Sequence, residues 1–323
     1  MKTVLRGLAA ALAFASAGAG AQDAFPSKPI RMVVGYAPGG GTDVVARLIA
    51  VRMTETIGQS VIVENRPGNS GILAASQVAK SSPDGYTIMM GVVSLNAIQP
   101  SLVANLPFDP VKDFAPVALT ASTPHLIVSH PSTTITSIKE LIAHARANPG
   151  KLSFPSAGNG TTPHIAGELF LSMAGVKMVH VPYKSTGQSM PDLLAGRMEV
   201  GFDTLASAIT HVRNGKLRGL AVTSERRLAD LPNIPTVEEA GLPGYRFSTW
   251  YGVFAPAATP PAIVNRLHAE INKALQSPEL RAKYAEMGMD DTVSRTPADF
   301  AALVRGDIAR FAKVVKDANI RLE

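Results

Sequence analysis

Short β-branched runs that alternate with helical periods constrain this chain more than any other feature, because only layered α/β architectures accommodate that rhythm. Ile30-Arg31-Met32-Val33-Val34 reads as a buried strand, and Pro38-Gly39-Gly40-Gly41-Thr42-Asp43 leads into a helix with Val45, Leu48, Ile49 and Met53 on its apolar side. Val61 to Glu64 predicts a second strand, Ser70 to Lys80 a helix, Pro83-Asp84-Gly85 a turn, and Tyr86 to Met90 a third strand. The middle of the chain repeats the pattern. Ser137-Ile138-Lys139-Glu140 is a capping box, Pro149-Gly150 a stop, and Leu152 to Phe154 a strand. Gly158-Asn159-Gly160-Thr161-Thr162 then precedes a helix that opens at Pro163 and closes at Gly175. Val176 to Val181, Val200 to Phe202 and Leu217 to Val222 supply further strands. Beyond Val253 the chain turns helical over Pro260 to Gln276, Pro278 to Met287 and Pro297 to Ala318, the last capped by Thr296. Strand-helix alternation followed by helices predicts parallel sheets wrapped by helices. No repeat of solenoid period is present.

A chain of 323 residues has room for about two domains. With 46% hydrophobic and 17% charged residues it has enough apolar surface for folded cores. The absence of cysteine excludes disulfides, thiolate metal sites, iron-sulfur clusters, a cysteine nucleophile and a lipid-modified amino-terminal cysteine. Lys2 and Arg6, the apolar run Leu8 to Phe14 and the small residues Ala19-Gly20-Ala21 form a signal-peptide pattern over residues 1–21, with cleavage near Ala21/Gln22. The uncharged stretch from Leu8 to Ala21 is shorter than the ~20 residues of a spanning helix. The expectation is an exported protein without a lipid anchor, periplasmic in a two-membrane bacterium. Two of the charges behind the formal +6 leave with the leader.

The two Gly-rich loops share a design in which a strand runs into glycines and then into a helix start. Free N–H groups of a first helical turn attract anions, and glycines allow close approach, so a carboxylate or phosphate is the natural guest. Neither loop carries a nucleotide-binding motif. Asp43 reads as the N-cap or first-turn acid of its own helix, and His164 as a hydrogen-bond partner of its own loop. Thr161 with His164 is the one sequence-local hydroxyl-histidine pair in a candidate site, which keeps an exported hydrolase-like enzyme as the alternative class. No G-x-S-x-G elbow occurs, and the seven histidines make no H-E-x-x-H pair. The adjacent acids Glu238-Glu239 and Asp290-Asp291 read as solvated surface. Export and scattered positive residues, without interleaved aromatics, argue against nucleic acid.

The loops and their flanks resemble the tripartite tricarboxylate transporter (TTT) substrate-binding proteins, the Bug or TctC family. The matching pieces include Lys28-Pro29-Ile30-Arg31, Tyr36-Ala37-Pro38-Gly39-Gly40 with Asp43, Val63-Glu64-Asn65-Arg66-Pro67-Gly68 and Ser82-Pro83-Asp84-Gly85-Tyr86-Thr87. Further on come Gly158-Asn159-Gly160-Thr161 with His164, Val181-Pro182-Tyr183-Lys184, Asp192-Leu193-Leu194-Ala195-Gly196, Phe202-Asp203, Leu231-Pro232-Asn233-Ile234-Pro235 and Trp250-Tyr251-Gly252. The likeness runs in order through the whole chain after the leader. It implies an α/β, two-lobed periplasmic binding protein, type II-like, a Venus flytrap whose chain crosses twice between lobes, each a sheet flanked by helices. The implied lobes are 22–122 with 250–323, and 123–249. The implied ligand contacts are Tyr36, Pro38, Gly39, Gly40, Asp43, Ser94, Ser156, Gly160, Thr161 and Asp203. Asp203 would accept from a ligand hydroxyl or ammonium and would repel a second carboxylate unless water intervenes. The resemblance implies a small carboxylate ligand (a di- or tricarboxylate, amino acid or aromatic acid), integral membrane permease subunits as partners, a monomer, and no metal or cofactor. A ligand sensor that feeds a signalling partner is the other alternative.

Overall fold

The computed structural model describes residues 25–228, 230–289, 296–317 and 320. The predicted leader over residues 1–21 and the Asp290-Asp291 pair lie outside the described residues. The chain starts with β1 (Ile30–Val34), α1 (Gly41–Ile57), β2 (Val61–Asn65), a single 3-10 turn at Asn69–Gly71, α2 (Ile72–Ala79) and β3 (Thr87–Val92). A π-helical turn at Ser94–Ile98 and the short α3 (Gln99–Leu102) lead to the long β4 (Phe114–Ser129). Then follow α4 (Ile138–Ala147), β5 (Ser153–Ser156), α5 (Thr162–Ala174), β6 (Val179–Pro182), α6 (Thr186–Leu194), β7 (Val200–Thr204), α7 (Leu205–Arg213) and β8 (Arg218–Val222). The chain ends on β9 (Ser248–Pro256), α8 (Pro261–Leu275), α9 (Pro278–Glu286) and α10 (Pro297–Asp317).

The helices start and stop for legible reasons. Ser137 caps α4 by accepting from Glu140 N–H at 3.2 Å, but the Glu140 carboxylate returns to Thr136, one residue before the cap that a capping box would use. Gly175, at φ 63°, closes α5 with bonds from its own N–H to Ser172 O and from Val176 N–H to Leu171 O. Val176 therefore belongs to the helix end, and β6 begins three residues later than the strand predicted at Val176. Gly196 ends α6 in the same way through Arg197 N–H to Asp192 O.

β1 pairs in parallel with β2 and β3, and β9 inserts antiparallel between β3 and β4, which gives the order β2-β1-β3-β9-β4. The far end of β4, His125 to Ser129, pairs antiparallel with β7 and β8 in a second sheet. Beside it lies the parallel pair β5-β6. Glu199 ties this pair to β7 by accepting from Ser153 N–H at 2.8 Å and Ser153 Oγ at 2.7 Å. The first sheet is thus mixed and the second antiparallel, contrary to the parallel sheets predicted from alternation. The cause is the crossing itself: the chain leaves the first sheet along β4 and returns along β9, and adjacent outgoing and returning strands must run antiparallel.

At the crossing sits His125, fully buried. Its Nδ1–H donates to Phe202 O at 2.9 Å, its Nε2 accepts from Thr249 Oγ1 at 2.7 Å, and its backbone N–H donates to Thr223 Oγ1 at 2.6 Å. A carbonyl can only accept, so these bonds fix the neutral Nδ1–H tautomer. Burial pushes the imidazole down to about 4. Three segments that are distant in sequence are thereby tied where the two sheets meet.

Packing leaves no slack in the shared strands. Gly91 of β3 faces Gly252 of β9, and a Cβ on Gly252 would stand 2.2 Å from Phe300 Cζ and 2.9 Å from the backbone oxygen of Ala118. Gly252→Ala is expected to cost about 3 kcal/mol, because a main-chain atom cannot yield as a flexible side chain does. A urea unfolding midpoint equal to that of the wild type would show the contact to be relieved.

Candidate functional site

A helix satisfies all its amides except those of its first turn. In this chain four helices, α1, α5, α6 and α7, begin at one cleft of about 460 Å³ between the two sheets. Its wall includes Gly39, Gly40, Gly41 and Thr42 at the start of α1, Thr161, Thr162 and Pro163 at that of α5, Ser185, Thr186 and Gly187 at that of α6, and Thr204, Ala206 and Ser207 where β7 passes into α7. Tyr36, Ser94, Val44, Val92, Ala157, Met190, Pro191, Leu194, Tyr251 and Met287 fill the space between. No Lys, Arg, Asp or Glu lines the cleft among the described residues, and His211 is its one imidazole.

The two predicted loops are built alike. Gly39, at φ 84°, turns its N–H onto Asp43 Oδ2 at 2.9 Å, and Gly160, at φ 74°, turns its N–H onto His164 Nδ1 at 3.0 Å. Each glycine precedes the N-cap, and each acceptor is the third residue of the helix. Asp43 is otherwise saturated: Oδ2 also accepts from Arg47 Nε at 3.0 Å, and Oδ1 accepts from Asn65 Nδ2 at 2.8 Å and the Arg47 guanidinium at 3.0 Å. Burial alone would raise its pKa, but the bonds from Arg47, Gly39 and Asn65 outweigh that and hold it below the usual carboxylate range. His164 carries its proton on Nε2, since Nδ1 accepts, and burial beside His180 holds its pKa down at about 3. The two rings stack at 3.9 Å.

These ties decide which amides remain. Gly39 and Gly160 are spent on their own helices, and Thr161 spends both its N–H (3.2 Å) and its hydroxyl (2.6 Å) on Gly158 O. The first-turn amides of Gly40, Gly41, Thr42 and Thr162 meet no acceptor among the described residues. The same holds for Thr186 and Gly187 of α6 and for Leu205 and Ala206 of α7. Tyr251 adds a phenol over α1, its oxygen 2.5 Å from where a Cβ on Gly41 would stand. Burial and the nearby Tyr36 phenol raise its pKa, so it stays a donor.

Of the residues singled out from sequence, Tyr36, Gly39, Gly40, Ser94 and Thr161 line the cleft. Asp43 and Gly160 lie just behind the lining and shape it. Pro38 is exposed and is not among the lining residues. Ser156 is buried beneath the Gly158 loop, 2.6 Å from His180 Nε2. Asp203 lies in β7 opposite Leu126, outside the cleft lining, with Oδ2 buried and unpartnered; burial pushes its carboxyl up to about 7. Thr161 and His164 are not bonded to each other, since each serves its own loop. Glu238 and Glu239 pair on the surface with Arg246 and Arg227. The sequence reading missed the starts of α6 and α7, together with Tyr251 and His211. The spacing Ser185-x-x-Gln188 carries a capping-box signal for α6. For α7 the signal was only Thr204 after a strand.

The two walls are joined by a hydrogen bond in which Ser70 Oγ donates to Asn159 O at 2.9 Å. Ser70 and Asn69 both sit in the left-handed region, at φ 50° and 45°. The Ser70 carbonyl accepts from Tyr36 Oη at 3.0 Å and from Gln99 Nε2 at 2.9 Å. Tyr36 thus links the cleft wall to the bridge.

Residues 45–320 match the sequence profile of the tripartite tricarboxylate transporter family receptor, TctC. Among solved structures, R. palustris Rpa4515 with adipate superposes with a TM-score of 0.88 at 38% identity, covering 92% of this chain and 99% of that one. MatC (Rpa3494) from Rhodopseudomonas palustris with bound malate gives 0.86 at 33% identity, covering 90% of this chain and 100% of that one. The periplasmic binding protein BugD gives 0.86 at 32% identity, covering 93% of this chain and 100% of that one. The chain belongs to the TctC/Bug family, and its two-sheet architecture is that of these two-lobed periplasmic binding proteins.

Asp203 makes stability depend on pH. Its folded pKa, about 7, lies above the ordinary carboxylate value, so the folded state holds its proton longer than the unfolded chain does. Stability is then greatest below the unfolded pKa and falls as pH rises toward 7, by up to about 1.4 kcal/mol per pH unit. Asp203→Asn is expected to flatten that slope between about pH 4 and 7, read from urea midpoints. A variant with the wild-type slope would assign the proton to another group.

Proposed function

We propose that this TctC/Bug receptor captures a small carboxylate between its lobes and delivers it to a membrane permease of the tripartite tricarboxylate type. The observation that carries this reading is the cleft of four helix starts with no acidic or basic residue from the Asp, Glu, Lys or Arg classes in its lining. An anion placed there meets aligned N–H groups, hydroxyls and positive helix ends, and no carboxylate stands in the described lining to oppose it. Charge-assisted bonds from the Gly40, Gly41, Thr42 and Thr162 amides hold it, with Ser94 and Tyr251 as hydroxyl partners, while Tyr36, its proton given to Ser70 O, packs against it. The adipate and malate carried by two relatives are acids of this kind.

Gly39, Asp43, Gly160, Thr161 and His164 act by shaping the loops, and Pro38, Ser156 and Asp203 have no direct ligand contact in this reading. The lobes divide as 22–122 with 250–323 and 123–249, and residues 1–21 direct export to the periplasm. The mature protein works as a monomer, without metal, cofactor or nucleic acid. Catalysis has no support from the cleft, because Thr161 and His164 form no nucleophile-base pair.

Ligand released from purified protein and identified by mass spectrometry is expected to be a carboxylate. Ligand-stripped protein is expected to gain several degrees of Tm with that acid. Gly40 is extended, at φ −79°, with only Ala37 O near a Cβ, so Gly40→Val folds normally and pushes its branches toward the ligand. Affinity is expected to fall by more than about tenfold with little change in Tm; unchanged affinity removes α1 from the site. Ser70→Ala removes the bridge to Asn159, and a rise in Kd of roughly threefold to tenfold is expected, carried by faster dissociation. An unchanged dissociation rate would mean that the bridge does not hold the closed form.

A further inference from the structure

The α7 face turned to the cleft carries Thr204, Ser207 and His211, at spacings of three and four residues. Seven residues at 1.5 Å each place His211 about 10 Å along the helix from its amide-rich start. Ser207, between those ends, gives its hydroxyl to Thr204 O at 2.8 Å, and the lining also holds the apolar Met190, Pro191 and Leu194 of α6 and Met287. One end of the space is therefore rich in neutral donors, the stretch beyond it offers mainly apolar contact, and the other end of the α7 face holds an imidazole. That imidazole has no hydrogen-bond partner among the described residues, and it is half-buried.

We propose that His211 is a specificity-determining residue that binds an anionic group at the far end of the ligand and takes up a proton as it does so. The inference rests on the carboxylate reading of the cleft and adds to it a requirement for a second acceptor beyond an apolar stretch. Without ligand, desolvation and the positive Lys216 hold His211 below its ordinary value, so the empty cleft stays uncharged near neutrality. Other charges on α7 and the elements around it are engaged elsewhere. Arg213 pairs with Asp230 at 3.5 Å, and Arg218 of β8 donates to Ile135 O at 2.8 Å. His125 of β4 is held neutral by its bonds, Asp203 of β7 is buried with its carboxyl pKa raised, and Lys283 pairs with Glu286 on α9 at 2.7 Å. An anion against His211 raises its pKa, and the carboxyl end of α7 favours the same protonated form.

The sign follows. The complex holds its proton to higher pH than the free protein, so affinity is highest at low pH and declines as pH rises through the bound-state pKa. Calorimetric titration at about pH 6 and pH 8, in buffers of different ionisation enthalpy, with straight-chain dicarboxylates and their monocarboxylate homologues tests this. For the best dicarboxylate, affinity is expected to rise up to about tenfold from pH 8 to pH 6 with net proton uptake. His211→Gln is expected to abolish the uptake and the preference for the dicarboxylate, while monocarboxylate affinity moves less than about twofold. If His211→Gln keeps the pH slope and the preference, this inference fails and the carboxylate reading stands. If no acid binds either protein at either pH, the carboxylate reading itself falls.

Discussion

Amides that a helix cannot satisfy by itself are the constraint on which this structure turns. Four helices point those groups at one space, and the space carries no formal charge near neutrality. A lysine or arginine there would strand a buried charge when the lobes close on nothing, whereas main-chain dipoles keep their orientation without ionising. Recognition by backbone also tolerates different acids, because an N–H reads a carboxylate oxygen and little of what is attached to it. Selectivity must then come from side chains further along the cleft, and His211 is its one titratable nitrogen among the described residues.

The two Gly-loop helices show how such amides are kept aimed. Asp43 and His164 occupy the same place in α1 and α5, and each draws in the N–H of a glycine with positive φ four residues earlier. The acceptor differs in charge, but the outcome is the same. Asp43 stays ionised because Arg47 and Asn65 surround it, and the Arg47 charge cancels part of the field that the carboxylate would set against an anion. His164 reaches the same end as a neutral base, with burial keeping it unprotonated. Tying the amide before the cap fixes the loop and leaves the Gly40 cap amide of α1 and the first-turn amides of both helices for a guest.

Much of this was legible in the chain. The strand at Ile30 to Val34, the glycine loops, the Gly175 stop and the Ser137 cap follow from local rules, and the structure places them close to where those rules do. What was not legible depends on contacts remote in sequence. The offered amides of Gly39 and Gly160 turned out to be occupied, because the acceptors four residues on are locally plausible but their geometry is set by the fold. The antiparallel β4 and β9 have no local signature, since uniformly buried strands look alike whichever way they run. The starts of α6 and α7 reach the cleft only because β7 and the β5-β6 pair put them there.

The bridge between the walls sets the scale of any motion. A hydrogen bond such as Ser70 Oγ to Asn159 O contributes about 1 kcal/mol net, and a non-glycine residue in the left-handed region costs about as much. Ser70 by itself therefore offsets much of what the bridge returns. A latch so nearly balanced cannot by itself hold two lobes shut, and it cannot strongly resist closure either. The free energy that decides must come from what lies between the walls, and Tyr36 touches both that space and the Ser70 carbonyl. A ligand that orders Tyr36 strengthens the bridge at the same moment as it fills the cleft, so occupancy and closure become one equilibrium.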